Sequence, residues 1–178
     1  MTDKVLLHAC CATCSAYPIE KLREMGYEPI LYFFNPNIFP PEEFDKRLNE
    51  LIKYANKKQI ELIIEKQDAS KWYDFIAGLE DEPERGKRCS RCFEYRLIHT
   101  AVKALKLGIK TFTTTLTVSP HKQSKVIFEI AKDIANRHEL IFLDIDFKKE
   151  NGFLKTMQIA KEENFYRQNY CGCEFSMF

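Results

Sequence analysis

No stretch of the chain approaches the roughly 18 consecutive apolar residues of a membrane-spanning helix, so no membrane span and no membrane partner are expected. The first residues, MTDKVLLHACCATCS, carry one lysine and a short apolar run that His8 interrupts. They lack the apolar core of a secretory signal, and a cytoplasmic location is the expectation. Charge of one sign is missing as well. The 27 Lys and Arg residues face 26 Asp and Glu residues, a net charge of +1, without the basic excess of a general nucleic-acid binder. Any contact with nucleic acid is therefore expected to be local. Residues 85–96, RGKRCSRCFEYR, form one such basic patch, although charge runs usually mark a solvated face. There is no internal repeat, no linker composition and no glycine-rich phosphate loop of the Walker type, so nothing supports ATP-driven chemistry.

What is present describes a globular domain. A chain of 178 residues, 45% hydrophobic and 30% charged, can bury a substantial core in one domain, taken as residues 1–178. Apolar strand-like runs alternate with amphipathic segments along its whole length. KVLLHACC, EPILYFFN, ELIIEK, KTFTTTLT and ELIFLDIDF read as five strands. Helices fit 14–25, 41–58, 70–79, 90–106, 120–136 and 151–163, the fifth opening on a Ser119-Pro120 start signature. This alternation predicts an α/β fold: a single-domain, Rossmann-like, doubly wound and mostly parallel sheet of about five strands. In such sheets the site lies beyond the carboxyl ends of the strands, at the switch point. Cys10 and Cys11 end the first strand, Asn35 and Asn37 follow the second, Ser119 and His121 follow the fourth, and Asp144 and Asp146 close the fifth.

Seven cysteines carry the chemical signal. Cys10, Cys11 and Cys14 form C-C-x-x-C where a strand meets a helix. Cys89 and Cys92 form C-x-x-C at a helix start among arginines, which lower thiol pKa values. Cys171 and Cys173 form C-G-C in the tail, where glycine allows a tight bend. Close thiol pairs in a reducing compartment read as metal ligands or redox thiols rather than as a disulfide framework. A structural zinc uses four ligands, so seven thiols fit an iron–sulfur cluster with thiols to spare. The spacing alone does not name the cluster.

Other candidates are weaker. Ser119, His121 and Lys122 after the fourth strand suit an anion at a helix N-terminus, or simple capping. Tyr166, Arg167, Gln168, Asn169 and Tyr170 offer rings and planar donors for a base. Asp146 stands where a strand-end carboxylate acts as acid or ligand. Two other classes compete: a zinc-containing tRNA-binding or tRNA-modifying α/β module, and a thiol–disulfide oxidoreductase using Cys11 and Cys14. Neither accounts for all three cysteine groups.

The stretches LLHACCATCS, FFNPNIFPPEEFDKR, GKRCSRCFEYRL, FTTTLTVSPHK, DFKKENGF and YRQNYCGCEFS together resemble the cobalamin-independent epoxyqueuosine reductases, the QueH family. They run in order from residue 6 to residue 176, nearly the whole chain. Thr13 departs from the family, which commonly has proline before the third cysteine. The resemblance implies two-electron deoxygenation of epoxyqueuosine to queuosine in the anticodon region of tRNA. It implies a [4Fe–4S] cluster beside a second metal ion, expected to be iron, and an electron donor that the sequence does not identify. On this resemblance Cys10, Cys11, Cys89 and Cys92 are assigned to the cluster. Cys14, Cys171 and Cys173, with Asp146, are assigned to the second metal, though sequence leaves that division open. Cys14, Asp146 and His121 are the candidate catalytic groups. Ser119, His121 and Lys122 are assigned to tRNA phosphate, and Tyr166 and Arg167 to the modified base. The tail, residues 164–178, is expected to fold back onto the site.

Overall fold

The computed structural model describes residues 3–177. Five strands form one all-parallel sheet: β1 (Asp3–His8), β2 (Tyr27–Phe33), β3 (Leu62–Ile64), β4 (Thr111–Thr114) and β5 (Ile141–Phe142), in the order β3-β2-β1-β4-β5. The expected Rossmann-like doubly wound architecture is the observed one. The chain winds outward from β1 through β2 to β3, then returns to the other side of β1 for β4 and β5. The switch point therefore lies between β1 and β4.

Six helices cover the sheet: α1 (Ala12–Glu24), α2 (Pro41–Lys58), α3 (Ala69–Ile76), α4 (Lys87–Lys106), α5 (Ser124–Arg137) and α6 (Gly152–Glu162). Strand alternation sorts them onto two faces. Leu6, Ile30, Tyr32 and Phe112 point to one side and pack against Phe93, Leu97 and Ala101 of α4 and Ile127 and Ala131 of α5. Val5, Leu7, Leu31 and Phe33 point to the other and meet Ala16 and Ile19 of α1 and Leu51 and Tyr54 of α2. Helix α6 lies against α1 at a close approach, where a Cβ on Gly152 would stand 2.7 Å from the Tyr17 ring of α1. None of the helices is long and apolar enough to cross a membrane.

Three expected elements differ here: the fourth and fifth strands are shorter and the fifth helix starts later. Strand β4 stops at Thr114, whose hydroxyl accepts from Leu116 N–H at 3.2 Å and starts a 3₁₀ turn over Thr115–Val118. The following chain beside β5 then bonds to threonine side chains instead of a backbone ladder. Thr113 Oγ1 donates to Leu143 O and Thr117 Oγ1 to Ile145 O, both at 2.9 Å, and the fifth strand shrinks to two residues. The Ser119-Pro120 signature does not start a helix. Ser119 Oγ accepts from His121 N–H at 3.3 Å and closes a turn, and α5 begins only at Ser124. The helix-terminus basis for anion binding at Ser119, His121 and Lys122 is thereby corrected: these residues belong to a loop.

Candidate metal centre

Helix α1 begins immediately after β1, and Cys11 is its N-cap: the Cys11 sulfur accepts from Cys14 N–H at 3.3 Å. The cap folds the C-C-x-x-C segment back on itself. The sulfurs of Cys10, Cys11 and Cys14 all lie within 4.8 Å of one another. Cys10 is fixed from β4's side of the switch point, its N–H donating to Thr115 Oγ1 at 3.3 Å and its sulfur accepting from Thr115 Oγ1 at 3.4 Å. Hydrogen bonds from Cys11 and Cys14 hold the Cys10 thiol far below its ordinary pKa, while the same contacts with Cys10 push Cys11 and Cys14 up.

The other four thiols come from α4 and the tail. Cys89 sits in the first turn of α4 and accepts from Arg85 N–H at 3.2 Å. Cys92, one turn on, is buried with Cys173 against Trp72 and Ile76. Burial pushes the Cys89, Cys92 and Cys173 thiols up, and each is pushed further by Cys171 across from it. All seven cysteines are free thiols.

The tail is tied to α2. The buried Arg47 guanidinium bonds Glu43 at 2.6 Å, and its Nη1 and Nη2 donate to the Cys171 and Tyr170 carbonyls at 3.2 and 3.4 Å. Phe39 N–H donates to Gly172 O at 2.8 Å, and Gly172 takes a φ of +127° against the Arg47 guanidinium. These bonds bring Cys171 to a cavity of about 470 Å³ that Cys10, Cys14 and Cys89 also line. The three cysteine groups thus meet at one cavity at the switch point.

Two further cations face the thiols. Arg96 of α4 is buried, which disfavours its charge, but Cys92, Cys171, Cys10 and Cys173 outweigh that and hold it firmly protonated. For Lys122 too, burial works against the charge, and Cys171, Cys10 and Cys14 raise its pKa above the usual value. Arg96 hydrogen-bonds Asn35 Oδ1 at 3.4 Å, and Asn35 Nδ2 donates to Ala9 O at 2.9 Å, so the loop after β2 is fastened to both.

Among the other expected site residues, Ser119, His121, Lys122 and Arg167 line the cavity. His121 is exposed at its rim, 3.2 Å from Arg85 Nη2. Tyr166 is elsewhere engaged, donating to Glu43 Oε2 at 2.9 Å with Lys46 over its ring at 3.5 Å. Asp146 pairs with Lys148 at 2.9 Å, outside the residues that line this cavity. Sequence reasoning missed Arg47, Glu43, Trp72 and Thr115. The signal for two of them was readable: Glu43, Arg47, Leu51 and Tyr54 form one buried stripe on α2, charged at the end that meets the tail. A second stripe, Arg88, Cys92, Arg96 and Thr100, runs at four-residue spacing down α4.

The fold and this thiol-lined switch point define a class: Rossmann-like α/β proteins with a cysteine-rich site at the carboxyl ends of a parallel sheet. Among solved structures of similar fold is a predicted subunit of tRNA methyltransferase from Methanocaldococcus jannaschii. It matches at a TM-score of 0.64 and 13% identity, over 90% of this chain and 76% of that one. Another is the U34-tRNA thiolase NcsA from Methanococcus maripaludis with its [4Fe-4S] cluster, at a TM-score of 0.58 and 14% identity, over 97% of this chain and 61% of that one. The sequence is more specific. The family model for the epoxyqueuosine reductase QueH matches residues 5–178. Proteins named epoxyqueuosine reductase QueH are 39% identical in Haemophilus influenzae, over 98% of this chain and 72% of the relative, and 36% identical in Acinetobacter baylyi, over 98% and 81%. That from Thermotoga maritima is 35% identical over 97% of this chain and 90% of its own length. The chain belongs to the epoxyqueuosine reductase QueH family, and it is an oxidoreductase of that family.

Proposed function

We propose that the chain reduces epoxyqueuosine to queuosine in tRNA. The reaction takes up two electrons and two protons, releases the epoxide oxygen as water and leaves a cyclopentene double bond. One observation carries the reading: three cysteine groups distant in sequence meet at a single cavity at the switch point of a QueH-family fold.

The donor set fits an iron–sulfur cluster and a second metal. Cys89, Cys92, Cys171 and Cys173 would hold the cluster, since Cys89 and Cys92 lie one turn apart on α4, Cys92 packs with Cys173, Cys89 and Cys171 line the same cavity, and four thiolates are the ligand number of a [4Fe–4S] centre. Cys10, Cys11 and Cys14 would hold the second metal, iron in our reading, through their clustered sulfurs. This division differs from the one expected from sequence and rests on the closeness of the triad. Together these groups would supply electrons and Lewis acidity toward the epoxide oxygen.

The chain's own residues do the rest. The cavity has the volume of a small-molecule site and admits one modified nucleoside. Arg167, Gln168, Asn169 and Tyr170 line it with planar donors and a ring that hold the base, against Phe153 and Met157. Lys122, kept protonated by the facing thiols, donates a hydrogen bond to the departing oxygen. Arg85 and His121 at the rim contact the phosphates beside the wobble nucleotide in the anticodon. The electrons come from an external donor, and the reaction belongs in the cytoplasm with tRNA maturation.

Expression in a bacterium lacking its own epoxyqueuosine reductase tests the reading. Queuosine should return to the tRNA. Persistent epoxyqueuosine, with the protein present and folded, would overturn it.

A further inference from the structure

Among the described residues, Trp72 Nε1, Arg88 Nε and Arg96 Nη2 are buried N–H groups with no hydrogen-bond partner. An orphaned buried donor costs about 1–3 kcal/mol, and more when charged, so such groups call for an acceptor. All three stand around the same thiols. Trp72 is packed in one buried cluster with Cys92 and Cys173. Arg88 and Arg96 flank Cys92 on α4, four residues to either side.

Arg96 is the most telling of the three. Of the other two buried guanidiniums, Arg47 has its carboxylate in Glu43 at 2.6 Å, and Arg88 donates to the Leu79, Glu80 and Glu82 carbonyls. Arg96 is equally buried and has no carboxylate partner among the described residues. Its contacts are long ones, to Cys92 O at 3.5 Å and Asn35 Oδ1 at 3.4 Å. A buried cation without a counter-anion costs several kcal/mol. The groups that face it are Cys92, Cys171, Cys10 and Cys173. Trp72 likewise has its indole N–H buried without a hydrogen bond, in one cluster with Cys92 and Cys173.

We propose that Arg96 and Trp72 are positioning residues for an anionic iron–sulfur cluster on Cys89, Cys92, Cys171 and Cys173, and that they favour its reduced form. The assignment rests on the cluster reading above. Reduction of such a centre adds one electron and makes or breaks no bond. The reduced form carries one more negative charge, so a buried guanidinium and an indole N–H stabilise it more than the oxidised form. Removing either donor therefore makes reduction harder.

The test uses the full chain purified without oxygen and reconstituted with iron and sulfide. The parent, Arg96→Gln, Arg96→Lys, Trp72→Phe and the exposed control Lys53→Gln are compared by iron and sulfide content and by spectroelectrochemical titration with dithionite as reductant. Arg96→Gln and Trp72→Phe should hold the parental content of iron and sulfide and reduce at a more negative potential. Arg96→Lys should lie nearer the parent, and Lys53→Gln should match it. A variant that melts at the parental temperature yet holds no cluster supports the positioning role but not the preference for the reduced form, which the other variant then decides. Should Arg96→Gln fail to fold, Trp72→Phe decides. Parental potentials in loaded Arg96→Gln and Trp72→Phe would overturn the proposal and leave the cluster reading standing. A parent that loads no cluster would overturn both.

Discussion

Arg47 and Cys171 are 124 residues apart in sequence, and the Arg47 guanidinium donates to the Cys171 carbonyl at 3.2 Å from inside a buried ion pair with Glu43. That bond sets the C-G-C segment against the cavity. Removing one member of a buried pair strands the other charge, at about 3–5 kcal/mol. Arg47→Met should lose stability of that order in urea unfolding and free the tail for proteolysis after residue 164. Adding Glu43→Leu should recover part of the stability but not the tail protection. Parental proteolysis of Arg47→Met would contradict the role of this bond.

Gly172 has a backbone that L side chains rarely adopt, and its Cβ position lies 3.0 Å from Arg47 Nη1. Gly172→Ala should therefore shift the tail while sparing the core, because the residue lies beyond every strand. The expected result is a reconstituted protein with reduced iron content and a near-parental melting temperature. A fully loaded Gly172→Ala would show that the tail tolerates the shift.

Cysteine variants separate the two thiol groups. Cys14→Ser should keep about four irons and four sulfides and lose the additional metal. Cys173→Ser should lose the sulfide-containing centre. Anaerobic metal and sulfide analysis reads both, and a Cys173→Ser that keeps the sulfide-containing centre and loses the additional metal would restore the division expected from the sequence.

The main lines of this arrangement were open to sequence reading. Cys10 and Cys11 at the end of β1, together with the alternation of strands and helices, pointed to the switch point where the thiol-lined cavity lies, and α2 occupies the expected span of residues 41–58. The rest depended on contacts that no local pattern encodes. Ser119 caps a turn rather than a helix because β4 ends early in a threonine-bonded 3₁₀ turn. Asp146 follows the short β5 and pairs with Lys148, away from the residues that line the cavity. Arg96 looked like a member of a solvated charged run, and only its four-residue spacing to buried neighbours set it apart.

His8 gives the metal-free chain an acid-sensitive core. Its Nδ1 lies 3.0 Å from Thr114 Oγ1 and its Nε2 3.1 Å from Phe34 O, an arrangement that suits a neutral ring donating to the carbonyl. Burial, aided by Arg96, lowers its pKa from 6.5 to about 4. The unfolded chain takes up this proton as pH falls below about 6.5, and the folded chain only near 4. Stability is therefore lost across that window, by up to about 3 kcal/mol. Urea midpoints at pH 7 and pH 4.5 should show the fall, and it should be smaller in His8→Gln. Equal falls in both would remove His8 as its source.

The most direct test of the account is nucleoside analysis of tRNA bearing epoxyqueuosine after incubation with the reconstituted protein and dithionite, without oxygen. The account predicts conversion of epoxyqueuosine to queuosine by the parent and none by Cys89→Ser or Cys171→Ser. Unchanged epoxyqueuosine with a fully loaded parent, or conversion by both cysteine variants at the parental rate, would contradict it.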